Sequence, residues 1–275
     1  MQDPPPVACL HYLRTIRLAD GGVVRAVLDI CQVLAQRGGR ITLVTADPAD
    51  IPDAWRHDAP NLPRIVVVDP PAAGGSLTGA ALASIESQLA SVQAVHLHGP
   101  WDPGNVQVAN LARKRGIPYV VSTHGMLDDW SMAQKALKKR LYLMLTGRRM
   151  LERAAAVHCT AAAEVEQSKR WFPRGKPVVL PYVVDLSPFR ELPGPDEAVE
   201  TFPDVFTAMP KVLFISRLHP KKGVERFIRM VALLRTMGPL VRALIAGPGD
   251  EAYIASLRQL IEQLRLGEQV KLLGM

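Results

Sequence analysis

The heptapeptide RLHPKKG at residues 217–223 places a proline and three cations between the apolar run VLFIS and a segment of helical period. Strand-to-helix turns are where open α/β sheets bind ligands, because helix amides and side chains converge there on anionic groups. Cations at a helix start oppose its dipole and are offset by an anion. The turn is therefore read as a phosphate site, the alternative being that Lys221 and Lys222 are ordinary solvated charges.

Two other turns carry glycines suited to close backbone approach. Gly21 and Gly22 follow the first apolar run after a basic loop containing Arg14 and Arg17, and two glycines remove side chains that would keep backbone N–H groups from an anion. A tight turn requiring positive φ explains the pair as well. Gly247 and Gly249 in IAGPGD form another strand-end loop, but a GxG without the third glycine of the dinucleotide fingerprint is weak evidence alone.

Histidines supply the remaining chemistry. His124, before Gly125, ends the run YVVST, so it belongs at the carboxyl edge of a sheet, where an imidazole can bond a hydroxyl or developing charge. His96 and His98 in AVHLHGPW are expected on opposite sides of their strand and are not a metal pair by spacing. His98, next to Gly99 at the strand end, is the one assigned to a cleft, and His96 is structural. Glu164 in HCTAAAE is either a site acid or a helix-start carboxylate stabilised by the dipole.

The elements that must position these residues follow from length and pattern. The 275 residues, 48% hydrophobic, suffice for two domains with a core each. A net charge of +7 allows an acidic partner without choosing between nucleic acid, anionic lipid and phosphorylated substrate. Cys9, Cys31 and Cys159 are far apart in apolar contexts and are expected as reduced core thiols. The N-terminus MQDPPPVACLHYL lacks the basic region of a signal peptide, and no long apolar run suggests a membrane span, so the expected location is the cytoplasm.

Strand-length runs VACLHYL, ITLVTAD, RIVVVD, AVHLHG, YVVSTHG and AAVHCT alternate with helical segments, which implies a parallel sheet covered on both faces. Val24, Val27, Leu28, Cys31 and Leu34 fall on one stripe of the first helix. The proline-rich stretch 186–210 is assigned as a linker between a domain at 1–185 and one at 211–275. In the latter, KVLFISRL, VRALIAGPG and VKLLGM alternate with two helices.

The segment KALKKRLYLMLTGRRMLER begins with Lys135, ends with Arg153 and carries seven cations against one acid. Such a helix rests on an anionic membrane surface, or it is a solvated face over a core-facing apolar stripe, interrupted at Gly147. Nucleic acid is not expected, since no basic aromatic-interleaved strand set or recognition helix is present.

The ordered set of Gly21-Gly22, VVSTHGML with a basic helix after it, HCTAAAE, LPYVVD, ISRLHPKKG and IAGPGD resembles the family 4 retaining glycosyltransferases, over nearly the whole chain. HGPWDP, THGMLDDW and the basic helix resemble the branch that builds bacterial exopolysaccharide or lipopolysaccharide. The resemblance implies a GT-B fold, two Rossmann-like α/β domains facing a cleft, and transfer of a sugar from a nucleotide-sugar donor to a glycan or lipid-linked acceptor without metal or cofactor. It implies that Arg217 and Lys222, with Gly223, hold the donor diphosphate, which Gly21 and Gly22 also face. Gly247 and Gly249 lie near the nucleotide, and His124 contacts the donor sugar near the reacting centre; His98 is placed in the acceptor cleft. The family also has a later loop with two glutamates that bind donor sugar and ribose. The sequence stops at Met275 before it, so an incomplete second domain is expected, with a non-catalytic lobe completed by a partner as the alternative function and a nucleotide-sugar epimerase of similar fold as another.

Overall fold

The strand-length apolar runs become strands of two parallel sheets, the pairing expected of near-continuous apolar runs joined by helical crossovers. The computed structural model describes residues 7–57, 59–184, 186, 189–205, 209–238 and 240–274. The chain divides into two units, Met1–Arg190 and Glu191–Met275.

In the first unit β1 (Ala8–Tyr12) leads into α1 (Gly22–Gln36), followed by β2 (Arg40–Thr45), β3 (Arg64–Val67), α2 (Gly79–Leu89), β4 (Ala94–His98), α3 (Pro103–Lys114) and β5 (Tyr119–Ser122). Then come α4 (Asp129–Ala133), α5 (Ala136–Tyr142), α6 (Arg148–Arg153), β6 (Ala156–Cys159), α7 (Ala162–Ser168) and β7 (Pro177–Val179). The sheet order β3-β2-β1-β4-β5-β6-β7 reverses direction beside β1, and at such a switch point a crevice opens at the carboxyl ends of the strands. Two apolar layers sandwich it. Val24, Val27, Leu28 and Cys31 of α1 pack with Ile41 and Leu43 of β2, while α2 and α3 close the other layer through Ile85, Leu89, Val108 and Ala112. Cys31 and Cys159 are buried and Cys9 is half-buried, none of them in a disulfide.

The basic helix departs from expectation. Gly147 does not interrupt it: α5 continues into α6 through a π-helical turn, Leu143–Gly147, and a Cβ on Gly147 would meet the Tyr142 ring at 2.9 Å. Its apolar residues divide between two faces: Leu143, Met150 and Leu151 are buried in the core, whereas Leu137, Leu141, Met144 and Leu145 are exposed.

The second unit starts with a short helix α8 (Asp196–Thr201), within the stretch expected to link the domains, then β8 (Lys211–Ile215), α9 (Val224–Met237), β9 (Arg242–Ala246), α10 (Glu251–Gln263) and β10 (Val270–Gly274). Its sheet has the order β10-β9-β8. Ile228 and Val231 of α9 and Leu257 and Ile261 of α10 are buried with Ala243 and Ile245 of β9.

At the carboxyl end of this sheet two turns meet. Ser216 N–H donates to Ala246 O at 3.1 Å and Leu218 N–H to Pro248 O at 2.6 Å. Gly247 has φ 136°, and a Cβ there would lie 1.9 Å from Ser216 O. Gly247→Ala is therefore expected to destabilise the second unit by on the order of 2–4 kcal/mol, whereas Gly267→Ala, with nothing within 4 Å of its Cβ position, is expected to be neutral or slightly stabilising. Urea unfolding checks both, and equal midpoints for the two variants would contradict the steric account.

Candidate functional site

The first unit's site is built on imidazoles at the carboxyl half of its sheet. β1 supplies His11, β4 supplies His96 and His98, the turn after β5 supplies His124, and β6 supplies His158. His96 and His98 do not face opposite sides. Residues two apart in a strand share a face, and their ring centroids lie 4.3 Å apart, with that of His11 4.9 Å from His96.

Two hydrogen-bonded chains result. In the first, His11 Nδ1 lies 3.1 Å from His98 Nε2, His98 Nδ1 lies 3.1 Å from His124 Nε2, and His124 Nδ1 lies 2.7 Å from the Tyr182 hydroxyl. One proton per ring satisfies this chain in either direction, and His11 Nε2 at its buried end has no partner. In the second, a carbonyl fixes the direction. Leu180 O can only accept, so His158 Nε2–H donates to it at 2.8 Å. Ser122 then donates to His158 Nδ1 at 2.7 Å and accepts from His96 Nε2–H at 2.7 Å.

Burial keeps His11, His96, His98 and His124 uncharged. It lowers the pKa of His11 to about 4 and drives His96 and His98 well below the ordinary value, neighbouring imidazoles adding to the effect. His124 is lowered to about 4, by burial first and by His158 second, against an opposing pull from Glu164. At neutral pH His124 is a hydrogen-bonding group rather than a cation.

A buried carboxylate shapes the turn that carries His124. Glu164 accepts from Thr123 Oγ1 at 2.5 Å, Gly125 N–H at 2.6 Å, Thr160 N–H at 2.6 Å and Thr160 Oγ1 at 2.9 Å. Burial pushes its pKa up, but the donated bonds outweigh it and hold the group below the usual carboxylate range. These bonds tie the end of β5 to the end of β6 while His124 and Gly125 take positive φ of 51° and 67°.

Gly21 takes φ 105° before α1, and nothing lies within 4 Å of a Cβ built on Gly22. Gly22 and Tyr182 line one cavity of about 570 Å³. The loop before them is less cationic than its sequence suggests. Arg14 pairs with Asp102 and Arg17 with Asp47, so neither guanidinium is spare for a phosphate.

In the second unit Arg217 and Lys222 are exposed, and among the described residues neither pairs with a carboxylate. Pro220–Lys222 form a 3-10 turn in which the His219 side chain accepts from Lys221 N–H at 3.2 Å. Gly223 takes φ 73° and starts α9. The bridge between Leu218 and Gly249 sets the Gly247–Gly249 turn beside this one, and both glycines have local reasons to be there: a Cβ on Gly249 would come within 2.7 Å of Leu218 Cβ.

His11, His96 and His98 offer nitrogens within 4.8 Å of one another, a potential metal-ligand group among the described residues. A tetrahedral ion with bonds of about 2.0–2.1 Å holds its ligands about 3.3 Å apart. Here the span is wider, and the rings engage each other and Ser122 instead. The sequence pattern missed His11, Ser122, His158 and Tyr182 as members of this network; their separations in the chain carry no local signal.

Acidification tests the uncharged state. Unfolded imidazoles bind protons near pH 6.5, whereas folded His11 and His124 do so only near 4. Between these values the unfolded chain holds more protons, so stability is fully present above pH 6.5 and falls as pH drops toward 4, each ring contributing up to about 1.4 kcal/mol per pH unit. Thermal midpoints should fall across this window and less steeply in His124→Gln; a flat or rising curve would overturn the assignment.

The Glycosyl transferase 4-like domain family matches residues 21–182, and the Glycosyl transferases group 1 family matches residues 202–275. A search of curated proteins returns no match. Among solved structures, HepE from Anabaena in complex with UDP and glucose is 20% identical over 98% of this chain and 69% of that one, with a TM-score of 0.63. A glycosyltransferase from Rickettsia africae is 16% identical, covering 98% and 69%, at a TM-score of 0.66. The lipopolysaccharide outer core galactosyltransferase WaaB is 12% identical, covering 97% and 68%, at 0.56. These likenesses establish the architecture, and the family match extends over more than half of the residues. The chain belongs to the glycosyl transferase 4-like family and is a glycosyltransferase of the GT-B fold.

Proposed function

We propose that the chain transfers a sugar from a nucleotide-sugar donor to a glycan or lipid-linked acceptor in surface polysaccharide synthesis, with retention of anomeric configuration. The observation that carries this reading is the turn before α9, where exposed Arg217 and Lys222 have no carboxylate partner among the described residues and an anion would offset their unfavourable position near the helix start. As a glycosidic bond breaks, negative charge builds on the departing diphosphate, and fixed cations beside it lower the barrier. The HepE complexes contain UDP, UDP with glucose, and UDP-glucose, which makes UDP the first donor fragment to try. Retention and the polysaccharide branch rest on the sequence resemblance, and WaaB is a neighbour of the same architecture that acts on lipopolysaccharide.

His124 is proposed to bond a hydroxyl of the transferred sugar. Its Nε2 is engaged by His98, and its Nδ1 faces the exposed end of the chain at Tyr182. A sugar hydroxyl therefore reaches this ring by taking the place of the Tyr182 hydroxyl, which leaves the buried bond to His98 to hold the imidazole in orientation. No metal or cofactor is assigned to the reaction. An anionic membrane is proposed as a peripheral partner of the basic helix at residues 135–153; no described helix is long and apolar enough to cross a membrane.

Calorimetric titration with UDP tests the donor site. Arg217→Ala and Lys222→Ala should each weaken binding about tenfold or more, since a charged hydrogen bond contributes roughly 1.5–3 kcal/mol, and Lys221→Ala should change it little. Unchanged affinity in both of the first two variants removes the assignment.

A further inference from the structure

The helix formed by α5, its π-helical turn and α6 carries a row at four-residue spacing whose chemistry changes along its length. Leu137, Leu141 and Leu145 are 83%, 50% and 65% exposed, and the next two positions in the row are Arg149 and Arg153. On a helix, side chains four apart share a face. The row thus runs from exposed leucines into arginines.

At the arginine end lies a pocket of about 250 Å³ between this helix and α3. Arg113 and Asn110 line it from α3, Arg149 and Arg153 from α6, with Leu145 and Tyr119 also on its wall. Neighbouring arginines behave differently. Arg148 and Arg174 both close on Glu152, at 3.0 and 2.8 Å, whereas Arg113, Arg149 and Arg153 have no carboxylate partner among the described residues. Cations in the last turn of a helix are favoured by its dipole, which accounts for Arg113 of α3 and Arg153 of α6 singly but not for Arg149. It does not account for bringing two such sets together, where they repel. The pKa of Arg153 is lowered, by desolvation first and then by Arg113 and Arg149.

An anion held among three guanidinium groups relieves that crowding, and arginine forks suit phosphate oxygens. The exposed leucines next to them select the source of the phosphate. A free anion gains nothing from an apolar row, whereas an amphiphile places its head in the pocket and its chains along the leucines. We infer that this pocket binds the phosphate headgroup of an anionic lipid, with Leu137, Leu141 and Leu145 entering the membrane beside it. The inference rests on the membrane contact proposed above and makes it specific: a defined headgroup site in place of diffuse attraction.

Vesicle co-sedimentation separates the two. Phosphatidylcholine vesicles are doped with phosphatidic acid, whose headgroup is a phosphomonoester, or with phosphatidylglycerol, to equal zeta potential. The full chain should bind the phosphatidic acid vesicles more tightly, by about tenfold. Arg149→Gln with Arg153→Gln should abolish that preference. The charge-matched pair Lys138→Gln with Arg140→Gln, at exposed positions of α5 outside the pocket, should weaken binding to both vesicles equally and keep the preference. Binding without preference, or a preference that survives in the Arg149 and Arg153 variant, overturns the headgroup site while leaving membrane contact standing. No binding to either vesicle overturns both. All four substituted residues are exposed, and circular dichroism confirms that the variants are folded.

Discussion

An imidazole can sit inside an apolar sheet only without its charge, and the first unit is organised around that constraint. Its interior accepts His11, His96, His98 and, at the margin, His124 because each ring passes a proton on to the next group or to a hydroxyl. Chains of this kind are favourable when every member is satisfied and costly when one is not. The single exception, His11 Nε2, lies at the far end from Tyr182. Satisfaction therefore improves toward the carboxyl edge of the sheet, where the parallel architecture already opens a crevice.

Glu164 performs the complementary task. It keeps its charge inside the protein by accepting from four donors, and in doing so it dictates the path of the chain through His124 and Gly125. The neutral chain and the charged clasp meet at one residue. A turn so supported is stiff, and the role proposed for His124 calls for a residue positioned before charge develops. In the second unit rigidity comes from glycine. The turns at Ser216–Leu218 and at Gly247–Gly249 pack so closely that side chains are excluded, and this brings the turn with Arg217 and Lys222 beside the one assigned to the nucleotide.

Much of the architecture was legible in the chain because buried parallel strands leave apolar runs and the helices between them leave a stripe, as Val24, Val27, Leu28 and Cys31 do. The three-residue β7 left no such mark; it starts with a proline, and Val178 and Val179 are exposed. A candidate site could be read only where chemistry and turn coincide locally, as in the phosphate turn proposed at residues 217–223. Whether a loop arginine is free depends on partners that sequence does not align with it: Asp102 is 88 residues from Arg14, and Asp47 is 30 from Arg17. The same applies to the histidines, whose partners lie 22 to 87 residues away. Exposure of the leucines on α5 was equally hidden, since an apolar stripe reads alike whether a core or a lipid covers it.

The three thiols lend themselves to one further use. Burial pushes Cys9 up to about 12 and Cys31 well above its ordinary value, and raises Cys159 as well. Thiolate, not thiol, reacts with maleimides and oxidants, so burial disfavours reaction of the native cysteines with such reagents. A cysteine introduced on the exposed face of α5 or in the turn before α9 therefore accepts a fluorophore or spin label selectively on the otherwise native chain.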